Sequence, residues 1–336
     1  MTHRIPRYVR LLAIVLLFPI DQPLNSQGQS ADDTCVVSTP SGAVRGIARD
    51  TGCTYLGIPY AAAPIGDLRW KAPQTKAPWT PAVLSATSPP PSCPLINPPT
   101  TGQPSGSEDC LMLNIWAPLR PTRVPVIVWL HPGNFQAASA NLAASNGERF
   151  ARERNVIVVA PNYRLGPFGF LAHSAFTLEE PGYRSSGNYG LLDQRAALVW
   201  VRDHIAAFGG DPRNVTIAGT SAGSQSVGFH LVSPVSSGLF QRAIMQSGFV
   251  SARWPHSREA EAQGEQFARA LQCTDVRTAA ACLRSKTRDQ VLRALPLDQV
   301  QILEPAAVQW ARLSMDSKFR ISHENCTGAG GLRGYH

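Results

Sequence analysis

The sequence predicts an α/β fold, a mostly parallel central sheet with helices on both faces, and three observations carry that expectation. The first is a set of short apolar runs rich in Val and Ile. Val124–His131 reads VPVIVWLH, Asn155–Ala160 reads NVIVVA and Asn214–Ala218 reads NVTIA. A strand with one face in water alternates apolar and polar residues, so runs of this kind mark strands buried on both faces. The second is a helical pattern between the runs. Leu191, Leu198, Val201, Ile205 and Phe208 recur at helical spacing within Gly190–Phe208, and Gly209, Gly210 and Pro212 then stop the helix. Strands and helices in alternation form parallel sheets. The third is composition. A chain of 336 residues, 43% hydrophobic and 16% charged, can bury a large core and is not a mainly disordered protein. Its 28 Pro and 27 Gly follow no collagen-like period.

In chain order, Met1–Arg10 carries Arg4, Arg7 and Arg10, and Leu11–Ile20 is apolar. That apolar stretch is shorter than the roughly 20 residues a membrane span needs. Residues 1–28 therefore read as a secretory signal peptide, cleaved near Gly28, with 29–336 as the α/β domain. No later segment is long and apolar enough to insert in a membrane, so a secreted or periplasmic protein is expected. Short β signals follow at Cys35–Val37, Ala43–Ile47 and Thr54–Leu56, punctuated by Gly42, Gly52 and Gly57. Ser88–Pro104 is too rich in Pro for a helix or a central strand and reads as a long loop. Beyond the NVTIA run, Arg242–Gln246 (RAIMQ) reads as a fourth strand. The chain looks helical from Ser257 to Leu295, and Gly328–His336 reads as a tail.

The net charge is +8, almost all of it from Arg. No stretch packs five like charges together and no basic run alternates with aromatics, so the excess reads as scattered surface Arg and not as a nucleic-acid site. The seven cysteines form no CxxC pair, which argues against zinc. An oxidising destination favours disulfides. Cys93–Cys110 and Cys273–Cys282 are close enough in sequence to close local loops, Cys35–Cys53 is a third pairing, and Cys326 is left over.

The strongest chemical signal is Gly219-Thr220-Ser221-Ala222-Gly223. It follows the NVTIA strand directly and precedes a segment that can be helical, the context a G-x-S-x-G nucleophile elbow requires. Glycines flank the serine because the strand-to-helix turn is too tight for side chains there. The turn holds the Ser221 hydroxyl at the carboxyl end of the sheet. The helix behind it offers a dipole and a free N–H to a developing negative charge.

Around this motif the sequence resembles the type B carboxylesterases, the α/β hydrolases that include the cholinesterases. The serine signature of that family is matched almost throughout Phe208–Gly223, and its second signature at Glu108–Ile115. Further matches are Leu56–Ala61, Asn162–Gly166, Gly187–Gln194 and Gln246–Gly248, so the resemblance runs from about Cys35 to about Leu295. It implies an α/β-hydrolase fold and a serine esterase that needs neither metal nor organic cofactor. Ser221 would be the nucleophile and the Ala222 N–H one oxyanion donor. Gly133 and Asn134, in the loop after VPVIVWLH, would be the others. Pro132 has no N–H to give, Asn134 stands where the family has glycine, and Thr220 stands where it usually has Glu. The resemblance also supports the Cys93–Cys110 and Cys273–Cys282 pairings and places Ser247 as either a polar support near the site or an ordinary strand-end serine. Of the two N-x-T sequons, Asn214 falls on an expected buried strand and Asn325 near the end.

Such an enzyme also needs an acid and a histidine, in the order Ser, acid, His. No acid motif of the family is found after Ser221. Of the later histidines, His230 falls on the helix behind the elbow, His256 in a loop, and His323 and His336 in unpatterned sequence, so none is assigned. The sequence thus reads as a carboxylic ester hydrolase chain that stops before its acid and histidine, with its last sheet strands missing and RAIMQ left as a bare edge. Poor solubility and little activity are expected of it. The substrate would be a small-molecule or lipid carboxylic ester. The alternative is a non-catalytic, cholinesterase-like interaction module.

Overall fold

The computed structural model describes residues 35–97, 102–179, 185–248 and 254–294. The expected signal peptide, Cys326, the Asn325 sequon, His323, His336 and the tail lie outside the described residues.

The sheet begins with β-strands that follow one another closely. β1 (Val36–Thr39), β2 (Gly42–Arg45), β3 (Ile47–Arg49) and β4 (Gly52–Pro59) match the early β signals. β1 and β2 join β5 (Val83–Ser85) in a small separate sheet. Within the Pro-rich loop, β6 (Leu95–Asn97) and β7 (Gln103–Ser105) form a two-stranded ribbon away from the main sheet. β8 (Met112–Pro118) was not legible as a strand; it begins inside the second signature and runs three residues past it. β9 (Val124–Leu130), β10 (Ile157–Pro161), β11 (Gly210–Thr220) and β12 (Arg242–Gln246) are the four strands read from the apolar runs.

Among the described residues the main sheet has seven strands, in the order β12-β11-β9-β10-β8-β4-β3. Its first four strands are parallel, and the pairings β10–β8, β8–β4 and β4–β3 are antiparallel. The connections explain the division. β3 and β4 are joined by a tight turn that can only make a hairpin, whereas a parallel neighbour needs a crossover of a dozen residues or more. Helices supply those crossovers. α1 (Glu148–Arg154) links β9 to β10. α2 (Gly166–Phe170), α3 (Ser174–Glu179) and α4 (Tyr189–His204) link β10 to β11, and α5 (Ala222–Val232) links β11 to β12.

Both faces of the sheet are covered, and the strand alternation shows it. Val126, Val128, Ile157 and Val159 belong to the main core with Leu198 and Val201 of α4 and Val227 of α5. Their neighbours Ile127, Val158 and Ala160 turn to the other face and meet Ala151 of α1. Two buried faces are why these strands read as apolar runs without alternation. β12, at the edge, differs: all five of its residues are exposed, with Ile244 at 44% and Met245 at 37%.

The helical stretch from Ser257 resolves into α6 (Ser257–Ala270), α7 (Ala279–Ser285) and α8 (Arg288–Leu292). α7 and α8 were expected as one run. Thr287 separates them because its hydroxyl accepts from the Gln290 N–H while the Gln290 side chain accepts from the Thr287 N–H, a capping box. Arg69 ties this region to the rest. Its guanidinium pairs with both Glu108 oxygens and donates to the Lys286 carbonyl.

All three expected disulfides are present: Cys35–Cys53, Cys93–Cys110 and Cys273–Cys282. Cys93–Cys110 closes a separation of 17 residues across the Pro-rich loop. A cross-link of about that span stabilises by roughly 3 kcal/mol, mainly by restricting the unfolded chain. No described helix is long and apolar enough to cross a membrane.

Among the described residues, the most deeply buried ion pair joins α4 to the loop after β10. Arg164 Nε and Nη2 donate to Asp193 at 2.8 and 2.7 Å, and the Arg164 N–H adds a third bond at 3.0 Å. Their side chains are 3% and 0% exposed. Removing one member strands a buried charge, so Asp193→Ala is expected to lower unfolding free energy by about 3–5 kcal/mol. Arg164→Met/Asp193→Leu should be less damaging than that single change. Urea denaturation of the two variants beside the parent measures the difference.

Candidate active site

β11 and β9 end side by side, and the candidate residues lie just beyond their carboxyl ends. Ser221 follows β11 with φ 53° and ψ −121° and caps α5. A positive φ at a non-glycine residue is strained and persists only when its surroundings enforce it. Here the Ser221 N–H donates to Gln246 O at the end of β12 (2.9 Å), and the Ser221 carbonyl accepts from the Gln225 N–H (3.0 Å). A Cβ on Gly223 would lie 2.0 Å from Leu130 O, and one on Gly219 2.5 Å from Gly223 O. Neither glycine can carry a side chain without moving the backbone. The Ser221 side chain is exposed.

The loop leaving β9 reverses at once. Gly133, Asn134 and Phe135 all have positive φ, at 118°, 52° and 57°. The Gly133 carbonyl accepts from the N–H groups of Gln136 and Ala137. Asn134 thus stands in the left-handed region, which Asn tolerates better than most residues, so this replacement of a glycine is conformationally compatible. Phe135 anchors the loop. It is buried, packs edge-on against Phe170 at 5.1 Å, and its carbonyl accepts from the Gly166 N–H. Among the described residues, the Gly133 and Asn134 N–H groups donate to no backbone acceptor. The Ala222 N–H opens α5, where helix geometry provides no acceptor. Beside the loop is a cavity of about 210 Å³ lined by Pro94, Leu95, Ile96, Ala137, Pro167 and Leu292 among others. Those six side chains are apolar.

Two buried histidines flank this region, each held elsewhere. His131 stacks on Tyr163 with ring centroids 4.1 Å apart, and the Tyr163 hydroxyl donates to His131 O. Its Nδ1–H donates to Pro132 O, and burial pushes its pKa down to about 4. His230 lies behind the elbow, as its place on α5 suggested. Its Nε2–H donates to Gln194 Oε1 (3.1 Å) and its Nδ1 accepts from the Ser236 hydroxyl (2.9 Å). Burial, helped by nearby Arg195, lowers its pKa to about 3. Gln194 also donates to Ser226 Oγ, which donates to Ala222 O, so this network clamps the first turn of α5 to α4. His256 caps α6, His173 accepts from the Ala175 N–H, and His204 contacts Trp200 and Ser41. No histidine or carboxylate among the described residues hydrogen-bonds Ser221. No described cluster of His, Cys, Asp and Glu could hold a metal.

Ser247 lies just past β12, exposed and with φ 52°, one residue beyond the carbonyl that holds the Ser221 N–H. Asn214 is half-buried and its side chain accepts from Arg242. Asn162 was not singled out, although it sits in a matched motif. It is fully buried, donates to Pro91 O and Cys110 O, and accepts from the Ala140 N–H, so it fastens three loops near the site. A polar residue at the end of an all-apolar strand was the signal that could have revealed it.

The architecture defines the class: an α/β hydrolase, with a strand–turn–helix elbow above a parallel sheet flanked by antiparallel strands. The Carboxylesterase family pattern matches residues 33–324, and the chain belongs to that family. It is 39% identical to the mouse (Mus musculus) protein "Cholinesterase" over 297 residues, which is 80% of this chain and 47% of the relative. It is 46% identical to "Para-nitrobenzyl esterase" of Bacillus subtilis (strain 168) over 218 residues, 63% of this chain and 43% of that one. A solved structure described as a thermophilic PNB esterase superposes with a TM-score of 0.73 at 37% identity, covering 82% of this chain and 57% of that one. The chain thus spans less than half the length of these curated relatives.

Gly223→Ala is expected to abolish the elbow geometry, and loss of α5 docking should appear in near-UV circular dichroism and a lowered unfolding midpoint. The strongly depressed pKa values of His131 and His230 predict acid sensitivity. The unfolded chain takes up protons from about pH 6.5, while the folded histidines stay neutral down to about pH 4 and about pH 3. Stability contributed by the neutral forms is therefore complete above pH 6.5 and declines as pH falls through that window. Urea midpoints measured from pH 7.5 to 4 should fall, and His230→Asn should show a shallower slope.

Proposed function

We propose that this chain carries the nucleophile and oxyanion-binding part of a carboxylic ester hydrolase that works through an acyl-enzyme. Ser221 Oγ attacks the ester carbonyl carbon and its proton passes to a base outside the described residues. The C=O electrons move onto oxygen, where the N–H groups of Gly133, Asn134 and Ala222 bind the resulting oxyanion. Collapse expels the alcohol, and water then releases the acid from Ser221. The apolar cavity beside Gly133 and Asn134 suits an aliphatic part of a small-molecule or lipid ester. The observation that carries this reading is the strained, exposed Ser221 beside a loop whose two N–H groups are not taken by the backbone. No metal or organic cofactor enters the scheme. The signal-like residues 1–28 and the three disulfides support a secreted or periplasmic location for the domain of residues 29–336.

A second reading, a non-catalytic interaction module, is favoured by one observation: no described histidine reaches Ser221. A fluorophosphonate probe separates the two. Labelling of the parent chain that disappears in Ser221→Ala supports an activated serine, and an unlabelled parent supports the module. Hydrolysis of p-nitrophenyl acetate should be slow in this chain and absent in Ser221→Ala. Asn134→Gly should leave it within a few-fold, because glycine keeps the N–H and accepts the same φ.

A further inference from the structure

β12 is an end strand of the main sheet, and no strand among the described residues pairs with its outer side. All five of its residues are exposed, Ile244 and Met245 among them. A bare edge is normally protected by Pro, by a bulge or by charges along it. β12 has no Pro, and its register against β11 runs from Arg242 to Gln246 without a shift. Its single charge is on Arg242, which turns back onto β11 and donates to Asn214 Oδ1. Ala243–Gln246 is uncharged.

The pairing with β11 decides which backbone groups of β12 face outward. The Ser221 N–H donates to Gln246 O, so Gln246 turns its backbone groups toward β11. Alternation along the strand turns those of Ile244 and Arg242 the same way, and those of Ala243 and Met245 outward. Antiparallel strands join where outward-facing residues of each exchange both N–H···O bonds. A second β12 meets this requirement when the two strands run antiparallel about Ile244. Ala243 of each copy then exchanges both bonds with Met245 of the other, and Ile244 faces its own counterpart. The residue types suit that register. Apolar residues lie opposite apolar ones, and Arg242 lies opposite the neutral Gln246. A parallel, in-register arrangement would instead set Arg242 beside Arg242 across the roughly 5 Å between strands.

We propose that β12 is an interface between two copies of this chain, joined edge to edge by antiparallel pairing about a two-fold axis at Ile244. The contact is isologous and occupies the β12 of both copies, so assembly closes at the dimer. The other end strand of the main sheet, β3, takes no part. Five residues a side bury less than a standard interface, so the dimer is concentration-dependent. The assignment does not rest on any role for Ser221 as a nucleophile.

Sedimentation velocity on the full chain, from about 1 to 100 µM, should show a monomer–dimer equilibrium. Ile244→Lys sets like charges face to face at the axis and should leave only monomer, with its thermal unfolding checked against the parent. Ala243→Pro removes an outward N–H, spares the bonds to β11 and should weaken the dimer at least about tenfold. Cysteine oxidation then reads the register, in a Cys326→Ser background. Ile244→Cys brings the two residues to a Cα separation of about 4.5 Å and should give a disulfide-linked dimer. Ala243→Cys and Met245→Cys leave like residues about 7–8 Å apart on the diagonal and should not. If Ile244→Lys does not fold, the cysteine comparison decides. A chain that stays monomeric at the highest concentration would overturn the assignment, by showing the edge sealed by a segment of its own chain. So would growth beyond the dimer, a dimer intact in folded Ile244→Lys, or equal cross-linking of the three cysteine variants.

Discussion

The close approach of α5 to the end of β9 is the constraint on which the rest of the structure depends. Gly223 lies so near Leu130 O that a Cβ would sit 2.0 Å from it. That contact sets the angle at which the chain leaves β11, and the positive φ of Ser221 follows from it. A strained residue of this kind costs about 1–3 kcal/mol and must be held by its neighbours. β12 supplies one bond through Gln246 O, and the first turn of α5 supplies another. Three strands and a helix are thereby coupled at one point, so Ser221 is presented with little freedom to relax.

Buried polar groups fasten what the apolar core alone would leave loosely specified. Apolar packing is non-directional and cannot by itself choose between nearby positions of a loop. The three bonds between Arg164 and Asp193 fix the loop after β10 against α4. Asn162 fixes the loops at Pro91, Cys110 and Ala140. The path from His230 through Gln194 and Ser226 to Ala222 O fixes the base of the elbow. Each group is costly to bury unless satisfied, which makes each connection specific. The oxyanion loop is positioned differently, by Phe135 acting as an apolar anchor between residues of positive φ.

Much of this was readable in the residue order. The four parallel strands announce themselves because both faces of each inner strand are buried and their sequences lack alternation. The elbow is readable because its glycines obey a local steric requirement. β8 was hidden because a sheet strand that begins inside a motif of mixed polarity has no periodic signal of its own. The break between α7 and α8 depends on a two-residue capping exchange that a helical pattern spans without interruption. Asn134 looked like a departure from glycine, and only its backbone angle shows that the position accepts it.

By itself, then, the sequence determined the local chemistry: where the buried parallel strands and the helix between them lie, where the elbow turns, and which cysteines lie near enough to pair. These follow from short-range sterics and from burial patterns within a few residues. The tertiary structure decided everything that depends on distant segments meeting. It set the order of the strands, the pairing of Arg164 with Asp193 across 29 positions, and the burial of His131 and His230 as neutral groups bound elsewhere. Such contacts are set by the global packing of layers, and a side chain's neighbours across a core leave no periodic trace in its own stretch of chain.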